Sequence, residues 1–114
     1  MKKILIVFLM FALSLPLKAE MFLRDYEKLP LSEQESLKNY IYGVGIGISW
    51  ANVKLKGTQK LYCDPQHLVI NDDNYLSILE REILYQKKAS PLTYKEFPIE
   101  MYILQGLIRT FPCK

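Results

Sequence analysis

Histidine and cysteine are scarce in this chain of 114 residues: one histidine, His67, and two cysteines, Cys63 and Cys113. Two thiols and one imidazole do not make a zinc ligand set. His67 has no nucleophile partner at a diagnostic spacing, and neither Gly-x-Ser-x-Gly nor His-Glu-x-x-His occurs. The carboxylate pairs Asp72/Asp73 and Glu80/Glu82 are close neighbours on a helical stretch, so they point apart and read as caps and solvated charge. A small secreted enzyme would need a site assembled from Asp, Glu, Ser or Tyr, and no such constellation stands out. The expectation is therefore a protein without catalytic residues, metal or cofactor.

Repeats, linkers and low-complexity tracts are also lacking. The one long apolar run, Ile4 to Leu15, is too short to span a bilayer as a helix. Lys2 and Lys3 precede it, Pro16 breaks it, and Ala19 offers a small residue for cleavage. Residues 1–19 thus read as a cleaved secretory signal peptide, leaving no membrane anchor, with residues 20–114 as one small domain. Cysteine is missing at the cut, which argues against a lipoprotein.

A surplus of charge is missing too. The formal +3 comes from 15 basic and 12 acidic residues, but Lys2, Lys3 and Lys18 leave with the leader. The mature domain is formally neutral and has no basic cluster of the kind that binds nucleic acid. Lys54, Lys56 and Lys60 read as a solvated loop.

What the mature part does have is apolar content enough for a core, all eight tyrosines, and both cysteines. In an oxidising compartment two cysteines and no third thiol give one intramolecular bridge, Cys63–Cys113. Small domains bury too little surface to be strongly stable unaided.

Periodicity points to helices. Met21 to Lys28 reads as a short helical turn ended near Pro30. Ser32-Glu33-Gln34-Glu35 reads as a capping box, opening a helix that runs to about Ala51 with Leu37, Ile41, Val44 and Ile48 on its buried face. Gly43 and Gly47 share a face and suggest a flat patch where another helix crosses. Val53 to Tyr62 fits a small hairpin or an extended loop, with Gly57-Thr58 turning the chain. A helix capped by Asn71 or Asp72 carries Leu76, Leu79 and Ile83 inward, Tyr75 and Ile78 beside them, and Glu80, Arg81 and Glu82 mostly outward. After an irregular stretch to Phe97, Pro98 opens a last helix buried through Met101, Leu104, Ile108 and Phe111, with Ile103 and Leu107 widening the face. The fold expected is a mainly α, single-domain helical bundle stapled by one disulfide.

Three elements carry a family resemblance: Tyr40-Ile41-x-Gly43-Val44 with Gly47, then Leu61-Tyr62-Cys63-x-Pro65, then Leu107 to Phe111-Pro112-Cys113. In order and spacing they resemble the Rap/Tai family of type VI secretion immunity proteins, across most of residues 32 to 113. The lysine-rich Val53–Lys60 segment and the Pro91–Pro98 stretch depart from it. The resemblance implies a small helical periplasmic protein with no enzymatic activity, which binds and neutralises a peptidoglycan-degrading amidase toxin and often forms homodimers. An inhibitor presents a rigid scaffold with an exposed loop or helix edge. Gln86 to Phe97 fits that description, with Lys87, Lys88, Ser90, Thr93 and Tyr94 as the candidate partner-binding residues. The alternative is a periplasmic protein-binding module or small stress chaperone with no toxin partner; a single histidine and no acidic cluster give little basis for an acid switch.

Overall fold

A computed structural model describes residues 20–64 and 69–114. The leader and His67 lie outside the described residues. Five α-helices are present among them: α1 (Leu23–Lys28), α2 (Leu31–Ser36), α3 (Lys38–Lys54), α4 (Asp72–Ala89) and α5 (Ile99–Thr110). No strand occurs among the described residues, and one disulfide joins Cys63 to Cys113. The mainly α, disulfide-stapled fold is the one expected from periodicity and from the two cysteines. No helix among the described residues is long and apolar enough to cross a membrane.

The core is the three-way packing of α3, α4 and α5. Ile41 from α3, Tyr75, Ile78 and Leu79 from α4, and Ile99, Tyr102, Ile103 and Leu107 from α5 are all buried. Leu23 and Tyr26 of α1 close one side. On α5 the buried face is turned from the one expected. Met101 is exposed and Ile99 buried, while Leu104, Ile108 and Phe111 are only partly buried. A helix with apolar residues at seven of twelve positions does not announce which third of its circumference faces inward.

Two glycines set how closely the helices cross. A Cβ on Gly45 would lie 2.3 Å from two ring carbons of Tyr75. One on Gly106 would lie 2.6 Å from Ile78 Cγ2 and 3.1 Å from the Ile78 carbonyl oxygen. The close crossing on α3 therefore runs through Gly45, not through the expected Gly43 and Gly47, which are exposed with open space above them.

Chain ends and joints are tied by hydrogen bonds. Residues 21–23 lie along 97–99: Ile99 N–H donates to the Met21 carbonyl at 2.8 Å and Leu23 N–H to that of Phe97 at 2.9 Å. The capping box expected at Ser32 does not form. The cap position lies two residues earlier, at Pro30, with no side-chain cap, because the Pro30 carbonyl accepts from Glu33 and Gln34 N–H. The single helix expected from residue 32 is bent at Leu37 into α2 and α3. The bend keeps Leu37 against the core while α2 buries none of its own residues. At α4 the cap is reciprocal: Asn71 Oδ1 accepts from Asn74 N–H and Asn74 Oδ1 from Asn71 N–H.

Neither the hairpin nor a plain loop describes residues 53–62. The helix continues to Lys54, and a single 3₁₀ turn spans Gly57–Gln59. Gly57 takes φ of 57°, a conformation that suits glycine. Asn52, buried, secures the return: its Oδ1 accepts from Leu61 N–H and its Nδ2 donates to the Tyr62 carbonyl, both at 2.8 Å. Cys63 N–H then donates to the Phe111 carbonyl at 2.8 Å beside the disulfide. Such a bridge fits an oxidising compartment outside the cytosol.

Candidate functional site

Two surfaces stand out among the described residues. The first is the outer side of α3. From Asn39 to Val53 this helix carries no charged residue. Its inner side holds Ile41, Gly45 and Asn52. Its outer side, on helical spacing, holds Gly43, Gly47, Trp50 and Val53, with Ile46 at the margin, partly buried against the core. Trp50 is 68% exposed and Val53 58%. A helix apolar all round is ordinarily covered all round, and an exposed tryptophan among uncharged neighbours is the composition of an interface centre rather than of open surface.

The second surface is a groove between α1–α2 and α4. Its larger part, about 550 Å³, is floored by Tyr26, Ile83 and Tyr94, and its walls include Glu80, Leu84 and Lys87. It continues into a hollow of about 220 Å³ lined by Leu31, Leu76 and Glu80. The α1–α2 wall is held in place. Gln34 Nε2 donates to the carbonyls of Tyr26 and Leu29 at 3.2 and 3.1 Å. Arg24 pairs with Glu96 at 3.2 Å and Lys95 with Glu27 at 3.4 Å, joining α1 to the 3₁₀ turn Tyr94–Glu96. Tyr26 and Glu80 line both parts of the groove, and burial, and then the charge of Glu80, raises the Tyr26 hydroxyl above its ordinary pKa.

The candidate partner-binding residues separate in space. Lys87 lines the groove. Lys88 and Thr93 are exposed nearby. Ser90 caps α4: its N–H donates to the Gln86 carbonyl at 2.7 Å, and its carbonyl accepts from Thr93 and Tyr94 N–H. Tyr94 is mostly buried, with its side chain on the groove floor. It is 7% exposed, and its carbonyl accepts the hydroxyl of Tyr102. The tip of this segment is instead Leu92, which is 95% exposed. Of the remaining tyrosines, Tyr26, Tyr62, Tyr75 and Tyr102 are buried, while Tyr40, Tyr42 and Tyr85 are partly exposed.

Glu82, expected to point outward, is buried. Its Oε2 accepts from Arg109 Nε at 2.9 Å and its Oε1 from Gln86 Nε2 at 2.7 Å. Arg109 lies flat on Tyr85, 3.5 Å from the ring centroid. The carboxylate borders a cleft of about 330 Å³ above Gly106, but its lone pairs are engaged, so it reads as a register pin between α4 and α5. Among the described residues no cluster of three or more His, Cys, Asp or Glu side chains could hold a metal ion.

Compared with protein-family models, curated proteins and solved structures, the chain finds no significant match. The reading of function therefore rests on these surfaces and on the motif resemblance.

Sequence reasoning missed the groove because its floor comes from three separate stretches, around residues 26, 83 and 94. It did contain a signal for the α3 face. An uncharged run of helical spacing with glycines on the side away from Ile41 and Ile48 is visible in the sequence, but only if both faces of the helix are asked what covers them.

Proposed function

We propose that this chain is a periplasmic immunity protein that binds and inhibits a peptidoglycan-degrading amidase toxin delivered by type VI secretion. The observation that carries a binding role is the uncharged outer face of α3, with Trp50 at its centre. The helical, disulfide-closed scaffold agrees with what the motif resemblance implies. A preorganised scaffold binds with little ordering cost, as an inhibitor requires.

The same face suits pairing of two copies. Trp50 and Gly43 lie seven residues apart on one side of α3, about 10 Å along the axis. In an antiparallel two-fold pair centred between them, each tryptophan covers the open space over Gly43 of the second copy. An isologous interface requires this kind of self-complementarity, and the absence of charge removes any like-charge repulsion. The proposed form is a homodimer whose two grooves remain free, since no α3 residue lines them.

The test is a rescue assay. The full chain is co-expressed with a periplasm-directed product of the adjoining reading frame, and lysis is followed by optical density. Lysis by the neighbour alone, abolished by the full chain but not by a version lacking residues 2–19, supports the proposal. A harmless neighbour, or lysis that continues despite good expression, refutes that pairing and favours a binding module or chaperone without a toxin partner. Sedimentation tests the dimer separately: wild type should sediment as a dimer and Trp50→Glu as a folded monomer. A monomeric wild type removes the homodimer from the proposal.

A further inference from the structure

We infer that the groove between α1–α2 and α4 receives one face of an amphipathic helix from a partner protein, with apolar side chains over Ile83 and Leu84, a basic side chain against Glu80 and an acidic one against Lys87. This stands apart from the toxin's identity, because it names the chemistry of a segment rather than its source.

The charges make the argument. Glu27 and Lys95 pair with each other at 3.4 Å, and Glu35 pairs with Lys38 at 3.8 Å. Glu80 and Lys87 have no ion-pair partner among the described residues. They stand on one side of α4, seven residues and about 10 Å apart. Between them lie Ile83 and Leu84, each three or four positions from both, so the four residues form one continuous stripe. Leu84 is 60% exposed, and Leu31, across the adjoining hollow, 82%. The surface therefore offers an apolar centre with an anionic end and a cationic end.

The occupant follows from backbone chemistry. An extended peptide could span the same 10 Å, but among the described residues the groove offers no strand edge, so its N–H and C=O groups would lose water without gaining partners. A helix satisfies its own backbone. Its positions i and i+7 repeat the spacing from Glu80 to Lys87, and its i+3 and i+4 positions fall over Ile83 and Leu84. Opposite charges at the two ends fix register, and they reject segments bearing two like charges.

The experiment uses purified mature protein and three stapled helical peptides. Each has leucines at i+3 and i+4. At i and i+7 they carry Lys and Glu, Lys and Lys, or Glu and Glu. Backbone amide shifts report the location and fluorescence anisotropy the affinity. The Lys/Glu peptide should perturb residues around 26, 83 and 94 and bind about tenfold more tightly than either like-charged peptide. Lys87→Glu should invert the preference toward Lys/Lys, and Glu80→Lys toward Glu/Glu. Both substitutions sit on exposed helix surface, so an unchanged melting curve is expected and serves as the folding control. Perturbations confined to the α3 face, affinities indifferent to peptide charge, or no binding by any peptide would overturn the inference, whatever the rescue assay reports.

Discussion

Alanine substitutions at Gly43, Gly45 and Gly47 should have opposite signs although the three residues share one helix. At each site alanine gains about 1 kcal/mol of helix propensity over glycine. At Gly43 and Gly47 nothing opposes the gain, because an added Cβ meets nothing within 4 Å. At Gly45 the Cβ would sit 2.3 Å from Tyr75 Cδ1 and Cε1 and 2.8 Å from Cγ. Ordinary carbon contacts lie at about 3.5–4.0 Å, so the ring must retreat by more than an ångström. It has little room: Tyr75 is 1% exposed, and Tyr42 packs edge-on against it with centroids 5.8 Å apart. Overpacking at the upper end of its usual range, about 3 kcal/mol, less the propensity gain, leaves a net loss of about 2 kcal/mol. For a domain of this size the melting temperature should fall by about 10 °C in Gly45→Ala and rise by a few degrees in Gly43→Ala and Gly47→Ala. Thermal and urea melts of the three variants, at a concentration where the wild type is monomeric, provide the check. A Gly45→Ala variant as stable as wild type would refute the reading of Gly45 as the crossing point of α3 and α4.

Three further outcomes are expected. Replacing Cys63 and Cys113 together by serine opens a loop of 50 residues and should cost about 4 kcal/mol by the chain-entropy estimate; urea midpoints that coincide with and without the bridge would show that it is not a stabilising staple. Asn52→Ala leaves Leu61 N–H and the Tyr62 carbonyl without their partner and should cost about 2–3 kcal/mol, read by chemical denaturation and by faster amide exchange at Leu61; unchanged exchange would contradict the role given to Asn52. Burial, and then Tyr62, Asp64 and Tyr42 nearby, push the Tyr75 hydroxyl up to about 12. A folded pKa raised above the unfolded value of about 10 means that its contribution is complete below pH 10 and is lost as pH rises toward 12, about 2–3 kcal/mol in all. Urea titrations from pH 8 to 12 should show this fall, and Tyr75→Phe should flatten it; an identical slope in the variant would place the loss elsewhere.

How far the sequence could be read depended on whether a feature is local. The Asn71 cap, the Gly57 turn and the three long helices follow from short-range rules, and the disulfide follows from having only two thiols. Features that depend on which helix faces which did not follow. Glu82 looks like any exposed helix carboxylate until Arg109, 27 residues later, arrives beside it. Gly43, Gly45 and Gly47 are chemically the same in one dimension; only the position of Tyr75 makes the middle one necessary. Ser32 with Glu35 satisfies the capping pattern, yet Pro30 starts the helix first. Tyr94 read as a surface residue because it stands in a polar loop, whereas the 3₁₀ turn directs it under α1.

The distribution of tethers explains why the α3 face and the groove are the surfaces to ask about. The N-terminal strip is bonded to the entrance of α5, and the C-terminus is bonded and bridged to the segment before α4. Glu82 and Arg109 pin α4 against α5 from within. Asn52 closes the far end of α3. These constraints fix α3, α4 and α5 relative to one another without using the outer side of α3 or the α1–α2 side of α4. A fold already secured on its inner faces gains nothing in its own stability from an uncharged helix exterior bearing Trp50, and such an exterior lowers solubility. A lysine or glutamate at position 50 would be the better residue for an isolated monomer. The contact proposed above would account for a tryptophan at this position, and the fixed scaffold beneath it would let that contact form without first ordering the chain.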